Sequence, residues 1–346
     1  MKALVTGGLG YIGSHTVVEL LNKGMDVVVL DNLENSSATV LDVIERLTSK
    51  RPEFDKSDVR SKTALDEVFK KYKPDIVVHF AAKKDPQASI AESLSYYETN
   101  VCGTMNILAS MAAYDVKRLV FSSSAAVYGN PTKMPISEDM RTDSLTPYAR
   151  SKEFSEQIIR DHFSLGDRGG ACILRYFNPT GTHPSGLFAP HHHHDASNLF
   201  PSLIRAARFD GDPLIVYGND LPTKDGTGIR DYIHVQDLAI GHVAAISHAE
   251  DLDFADTVNL GTGVGYSVKE VIQTCEHSLE CKVPFSFGPA RKGDPVESYA
   301  DTRKAGQLLR WTPEKDLKDM LRDEWSAYSV VKNNLNIGLS RLKRSC

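Results

Sequence analysis

Short apolar runs alternate with longer segments of helical period through the first half of the chain. Lys2–Thr6 is the first run and passes directly into Gly7-Gly8-Leu9-Gly10-Tyr11-Ile12-Gly13. Val17, Val18, Leu20 and Leu21 then repeat on one helical face until Lys23-Gly24, a basic last turn followed by a capping glycine. Val27–Leu30 is the second run and ends in Asp31. Further strands are expected at Ile76–Phe80, Leu119–Ser122 and Cys172–Tyr176, and helices at Asn100–Ala113 and Tyr148–Phe163. Such alternation predicts a parallel sheet covered by helices on both faces. Ligands then bind at the carboxyl ends of the strands, where Ser122–Ser124 and His79-Phe80-Ala81-Ala82 fall. Later in the chain, Ser267 and Glu270 form a capping-box pattern that opens a helix.

Strand, glycine turn, helix, strand and acid within the first 31 residues are the complete context of a dinucleotide site. Gly7 permits the tight turn, Gly10 admits a pyrophosphate and Gly13 lets helix and strand pack closely. The helix N-terminus supplies free N–H groups and partial positive charge. Asp31 is placed to accept hydrogen bonds from the adenine ribose and to repel a 2′-phosphate, which favours NAD over NADP. The expected fold is α/β, a Rossmann-type doubly wound parallel sheet with a smaller mixed α/β domain. Residues 1–176 are assigned to nucleotide binding and 177–346 to the substrate, the two interlacing around 232–264.

A net charge of −5 gives no general attraction to nucleic acid or to an anionic membrane. No apolar run reaches the length of a membrane span, and the start of the chain lacks the pattern of a signal peptide. The five cysteines, Cys102, Cys172, Cys275, Cys281 and Cys346, are scattered and odd in number. They read as reduced thiols of a cytoplasmic protein.

The catalytic candidates are Tyr148, Lys152 and Ser124. A phenol is a poor base at neutral pH, since its ordinary pKa is about 10. Residues four apart share a helix face, so the Lys152 ammonium can lie near the Tyr148 oxygen. A unit charge at ~4 Å and an effective dielectric near 20 contributes ~4 kcal/mol, enough to bring the tyrosine near neutrality. Tyr128 and Tyr232 have no lysine four residues on, so neither competes.

Gly7–Gly13, Asp31-Asn32-Leu33 and Ser124 with Tyr148-Ala149-Arg150-Ser151-Lys152 resemble the extended short-chain dehydrogenase/reductases. Leu174-Arg175-Tyr176-Phe177-Asn178-Pro179, Tyr217-Gly218-Asn219-Asp220 and the stretch from Asp225 to Val235 narrow the likeness. They are similar to the sugar-nucleotide 4-epimerases of that family, which interconvert UDP-glucose and UDP-galactose. The resemblance runs to about residue 328. It implies an isomerase with tightly held NAD, transient oxidation at sugar carbon 4, and a homodimer formed through the Asn100–Ala113 and Tyr148–Phe163 helices. It further implies that Tyr148 takes the 4-hydroxyl proton, that Ser124 hydrogen-bonds this hydroxyl, and that Lys152 holds the nicotinamide ribose. Cofactor contacts carry over to Gly7, Gly10, Tyr11, Ile12 and Gly13, to Asp31, Asn32, Asn35 and Ser36, and to Asp58 and Val59 at the adenine. Phe80, Ala81 and Lys84 line the NAD cleft, joined by Asn100, Ser122 and Tyr176. On the substrate side, Asn178, Arg230 and Arg291 match diphosphate contacts, and Asn198, Leu199, Tyr217 and Asp294 match the uridine pocket. Ser298 matches a position beside the sugar 2-substituent. A small residue there would admit N-acetylated sugars, while an ordinary loop serine is the alternative.

Two rivals stand beside this reading. A nucleotide-sugar 4,6-dehydratase or a decarboxylase needs further acid–base groups, whereas Ala125-Ala126 follow Ser124 here. A non-catalytic NAD-binding sensor would keep the glycine turn without needing the Tyr/Lys pair. His191–His194 reads as a solvated loop, since four consecutive histidines cannot converge on one ion, and no metal is expected. The Lys83-Lys84-Asp85-Pro86-Gln87 stretch is one residue longer than the resemblance implies. His234 and His242 read as packed or surface groups.

Overall fold

The computed structural model describes residues 1–164, 169–188, 198–209, 211–291 and 293–342. Thirteen strands lie among them, in chain order β1 Lys2–Thr6, β2 Asp26–Leu30, β3 Glu53–Asp55, β4 Ile76–His79, β5 Arg118–Ser124, β6 Gly170–Tyr176, β7 Asn178–Thr180, β8 Leu214–Tyr217, β9 Ile229–His234, β10 Ala255–Leu260, β11 Gly265–Ser267, β12 Phe285–Gly288 and β13 Glu297–Ser298. Seven form one sheet in the order β10-β6-β5-β4-β1-β2-β3, with every neighbouring pair parallel. Successive side chains of a strand point to opposite faces, and both faces are buried. Leu4, Val28, Val77 and Phe121 pack with Phe69, Met111, Ile159 and Phe163 from the helices Lys62–Tyr72, Gly103–Ala113 and Pro147–Phe163. Val5, Val29, Val78 and Val120 face Val17 and Leu20 of the helix Tyr11–Asn22 and Leu238 and Ile246 of the helix Val235–Glu250. The strand order reverses between β1 and β4, which opens a crevice at their carboxyl ends.

After β6 the chain crosses Phe177 and starts a second, four-stranded sheet. Here β9 pairs parallel with β7 and β13 and antiparallel with β11. The parallel pair β8–β12 lies apart from it. Their core is built from Phe200, Leu203, Val216, Tyr232, Val271, Ile272, Met320 and Leu321. The helix Val235–Glu250 and β10 belong to the large sheet, so the chain returns to its first layer after building part of the second.

Local signals explain the element ends. Ser267 and Glu270 close a reciprocal capping box at the helix Val268–Ser278. Thr146 caps the helix Pro147–Phe163 by accepting from Ala149 N, with Pro147 in the first turn. Strand β5 is longer than expected and carries Ser123 and Ser124 to the crevice. The helix expected from Asn100 begins as a π-helical turn at Tyr97–Cys102 and becomes α-helical at Gly103. A Cβ at Gly103 would stand 2.8 Å from Val59 Cγ2, so the turn is fitted against the loop after β3.

Candidate active site

The glycine turn is closed by backbone geometry. Gly7 has φ +66° and donates its N–H to Leu30 O at 2.7 Å. A Cβ on Gly7 would lie 2.7 Å from Ala81 N, and one on Gly13 only 2.2 Å from Gly7 O. Gly10, the N-cap of the helix Tyr11–Asn22, has no side-chain cap, and the first turn holds no acid. Uncapped N–H groups beside a cradle that any side chain would fill suit the pyrophosphate of a dinucleotide. Asp31 braces this cradle: its carboxylate accepts from Leu9 N at 3.1 Å, Leu33 N at 3.0 Å and Ser36 Oγ at 2.7 Å. Asn32 donates to Asp58 Oδ2 at 2.9 Å, Asn35 is exposed, and Val59 is buried next to Asp58. Arg60 grips Asp58 through Nε and Nη2 and holds its carboxyl down at about 2. That cation is committed to Asp58 and Glu34, and the acidic rim suits a free ribose better than a 2′-phosphate. The residues present fit NAD.

Opposite the cradle, Phe80 and Ala81 leave β4, their N–H groups donating to Thr6 O at 3.0 and 3.1 Å. Asn100 is fully engaged inside the protein. Its amide donates to Lys83 O at 3.0 Å and Ser151 Oγ at 2.8 Å, and its oxygen accepts from Lys83 N at 2.8 Å. It therefore clamps the loop after β4 and gives no free amide to a cofactor. Lys84 is exposed on that loop, whereas Lys83 is half-buried.

Tyr148 and Lys152 are both buried, on one face of their helix, against the carboxyl end of β5. Lys152 Nζ donates to Ser122 O at 2.7 Å and lies 5.0 Å from the Phe121 ring centre. Ser122 Oγ shares a short hydrogen bond with Tyr176 Oη. The expectation that Lys152 makes Tyr148 acidic is corrected here. Burial raises Tyr148 above its ordinary pKa, with the Ser124 hydroxyl pulling the other way. Burial likewise pushes Lys152 down to about 7, opposed by the charge of Glu156. Loss of hydration thus outweighs the effect expected of the Lys152 charge on Tyr148.

On the substrate side, β7 sets Asn178 opposite Tyr232, two positions along β9 from Arg230, and leaves it exposed. Arg230 stands 3.9 Å from Asp294, and Ser298 pairs with it across β13. The Arg291 guanidinium covers the Tyr217 ring at 3.9 Å. Asn198 is exposed at the cap of the helix Leu199–Ala207, and Leu199 packs on the second core. His191–His194 lie outside the described residues, and the described residues hold no cluster of three metal-ligating side chains.

A model of the NAD dependent epimerase/dehydratase family matches residues 3–261. The chain belongs to that family. It is 45% identical over 325 residues to a UDP-glucose 4-epimerase of Bacillus subtilis (strain 168), covering 94% of this chain and 96% of that protein. It also resembles the crystal structure of a UDP-glucose-4-epimerase from Stenotrophomonas maltophila with bound NAD and formylated UDP-arabinopyranose. The TM-score is 0.92 at 42% identity, covering 96% of this chain and 99% of the other. A UDP-glucose 4-epimerase from Bifidobacterium longum in complex with NAD+ and UDP is equally identical, with TM-score 0.90 and the same coverage.

His79 and Glu156 of this family member were not singled out in the sequence, whereas His234 and His242 were. His79, buried between Thr6 Oγ1 at 2.6 Å and Thr104 Oγ1 at 3.2 Å, is pushed down to about 3 by burial and the Lys152 charge. His242 is buried, its ring 4.7 Å from Phe80 and 5.7 Å from Tyr176, and donates to Leu238 O, a packed histidine as expected. His234 is also buried and accepts from Gln236 N at the start of its helix. Glu156 and Arg175 form a buried ion pair behind Lys152. The four-residue spacing from Lys152 is the signal that could have flagged Glu156.

Proposed function

We propose that this chain interconverts UDP-glucose and UDP-galactose by inverting sugar carbon 4 with a tightly held NAD. The observation that carries the reading is Tyr148, Lys152 and Ser124 gathered at the end of β5 beside a dinucleotide cradle, in a chain so close to UDP-glucose 4-epimerases. NAD, when bound, supplies the hydride acceptor and donor for carbon 4. Residues Gly7–Gly13 and the helix N-terminus would hold its pyrophosphate, Asp31 its adenine ribose and Lys152 its nicotinamide ribose. Tyr148 Oη, as the phenolate that the positive charge of a bound oxidised nicotinamide would favour, would receive the proton of the 4-hydroxyl and return it, and Ser124 Oγ would orient that hydroxyl. Arg230 and Arg291 supply positive charge for the diphosphate, with Asn178 donating a neutral hydrogen bond. Tyr217, Asn198, Leu199 and Asp294 surround the uridine. Residues 1–176 serve the cofactor and 177–346 the sugar nucleotide, with 232–264 shared.

Dehydration to a 4-keto-6-deoxy sugar needs an acid and a base after Ser124. Ala125 and Ala126 occupy a 3₁₀ turn there, and methyl groups transfer no protons. The cytoplasm fits this function. Cys102, Cys172, Cys275 and Cys281 are free thiols, and no helix among the described residues is long and apolar enough to cross a membrane.

Incubation of the purified protein with UDP-galactose, with no cofactor added, tests the reading. UDP-glucose should form, and Tyr148→Phe and Lys152→Ala should each reduce turnover by at least ~100-fold. Formation of a 4-keto-6-deoxy sugar would point to the dehydratase instead, and no product at all to a sensor.

A further inference from the structure

Glu156 lies one helical turn beyond Lys152 and is completely buried. Its Oε1 accepts from Ser123 Oγ at 2.5 Å and Arg175 Nε at 2.9 Å. Its Oε2 accepts from Arg175 Nη2 at 2.6 Å and Arg160 Nη2 at 2.9 Å. Burial alone would raise this carboxyl, but the Arg175 fork, Ser123 and the Arg160 charge outweigh it, and Glu156 stays below its ordinary pKa. Arg175 is itself fixed, its guanidinium 4.8 Å from the Tyr128 ring centre, and Arg160 also donates to Thr257 Oγ1 at 2.8 Å. A full negative charge is thus held in a dry interior on the same helix face as the catalytic lysine.

We propose that Glu156 is a positioning residue whose carboxylate, clamped by Arg175, keeps Lys152 an ammonium within the enclosed catalytic pocket. The proposal rests on the epimerase reading above. A lysine enclosed by Ser122, Phe121 and Tyr148 has lost most of its hydration, so its charge needs a compensating anion. The charged and titratable groups around it come from four elements. They are Tyr148, Glu156 and Arg160 of its own helix, His79 of β4, the serine hydroxyls of β5, and Arg175 and Tyr176 of β6. Burial keeps His79 uncharged and the phenols of Tyr148 and Tyr176 protonated. Of these groups only Glu156 is an anion. The structure-only alternative is a buried ion pair that merely ties helix to sheet, and it would leave the titration of the site unchanged.

The test follows kcat of the holoenzyme with UDP-galactose against pH. A second readout is the tyrosinate absorbance of each protein minus that of its Tyr148→Phe counterpart. In Glu156→Gln the alkaline limb of kcat should move down by about one pH unit, the scale of a unit charge removed one helical turn away. The Tyr148 midpoint should rise, while KM stays within about twofold. Arg175→Gln removes the fork that offsets the burial of Glu156, so its carboxyl should rise and the limb should again move down. Glu156→Gln profiles that overlay the wild type, or an Arg175→Gln limb that moves up, would overturn the proposal. If Glu156→Gln does not fold, Arg175→Gln and Arg160→Gln carry the test, each expected to move the limb down. A wild-type protein without epimerase activity would refute the functional reading alone, since the tyrosinate titration still reports on Glu156.

Discussion

The proposed site calls on two kinds of side chain, those whose identity does the chemistry and those whose size shapes it. Tyr148, Lys152 and Ser124 belong to the first kind. Ser298 belongs to the second. It is buried on β13 beside Arg230; we propose that it stands next to the sugar 2-position, where its small volume leaves room that a larger residue would close. Turnover of UDP-N-acetylglucosamine should therefore be measurable. Ser298→Tyr should abolish it while leaving UDP-galactose turnover within about threefold, because a phenol fills the volume an acetamide needs. Separating the epimers formed from both sugars by each protein checks this, and equal loss on both sugars would contradict it. Tyr148 gives the residue-scale lesson on legibility. The residue and its lysine were visible in the chain, but the direction of the Tyr148 shift was not, because desolvation depends on how completely other segments enclose the group.

The glycine turn is the element most completely written in the sequence. Gly7 and Gly13 meet backbone of the loop after β4 and of the same turn at distances no Cβ tolerates, and a Cβ on Gly10 would stand 3.3 Å from Gly7 O. Gly13→Ala should consequently shift the helix away from β1 and lose the cofactor. The expected result is a protein that purifies without the nicotinamide absorbance and fluorescence of the wild type, with activity below about one percent. Retention of cofactor by the folded variant would show that the cradle tolerates the methyl group. Other element boundaries were read with less success. The π-helical turn at Tyr97–Cys102 breaks a segment that reads as uniformly helical, and it carries Asn100 inward. Nothing in that segment's own periodicity announces the turn. Its cause is the partner on the other side, where Asn100 meets Lys83 and Ser151.

For the whole molecule, the outer faces of two helices present a proposal that the single chain leaves open. Leu94, Met105 and Phe154 are 82%, 50% and 49% exposed, and Tyr97 stacks on Phe154 at 6.0 Å. These residues lie on or beside the helices Gly103–Ala113 and Pro147–Phe163, the segments expected to form the homodimer. Apolar side chains gathered on adjacent helix faces favour burial against a second copy. The double variant Met105→Glu/Phe154→Glu should be monomeric by light scattering, where the wild type has twice the chain mass. A monomeric wild type, or a variant that remains dimeric, would rule out this face.

The amino-acid sequence by itself determined the alternation of the main strands and helices through Tyr176, the nucleotide turn and the residues able to do acid–base chemistry. These depend on apolar periodicity, glycine geometry and side-chain type, all of which are local. Only the tertiary structure decided that Asn100 braces a loop rather than offering a free amide, that burial lifts Tyr148 and depresses Lys152, and that Glu156 meets Arg175 across 19 residues of chain. Solvent exclusion and charge pairing arise from segments far apart in sequence, so their strength is set when the helices close over the sheet.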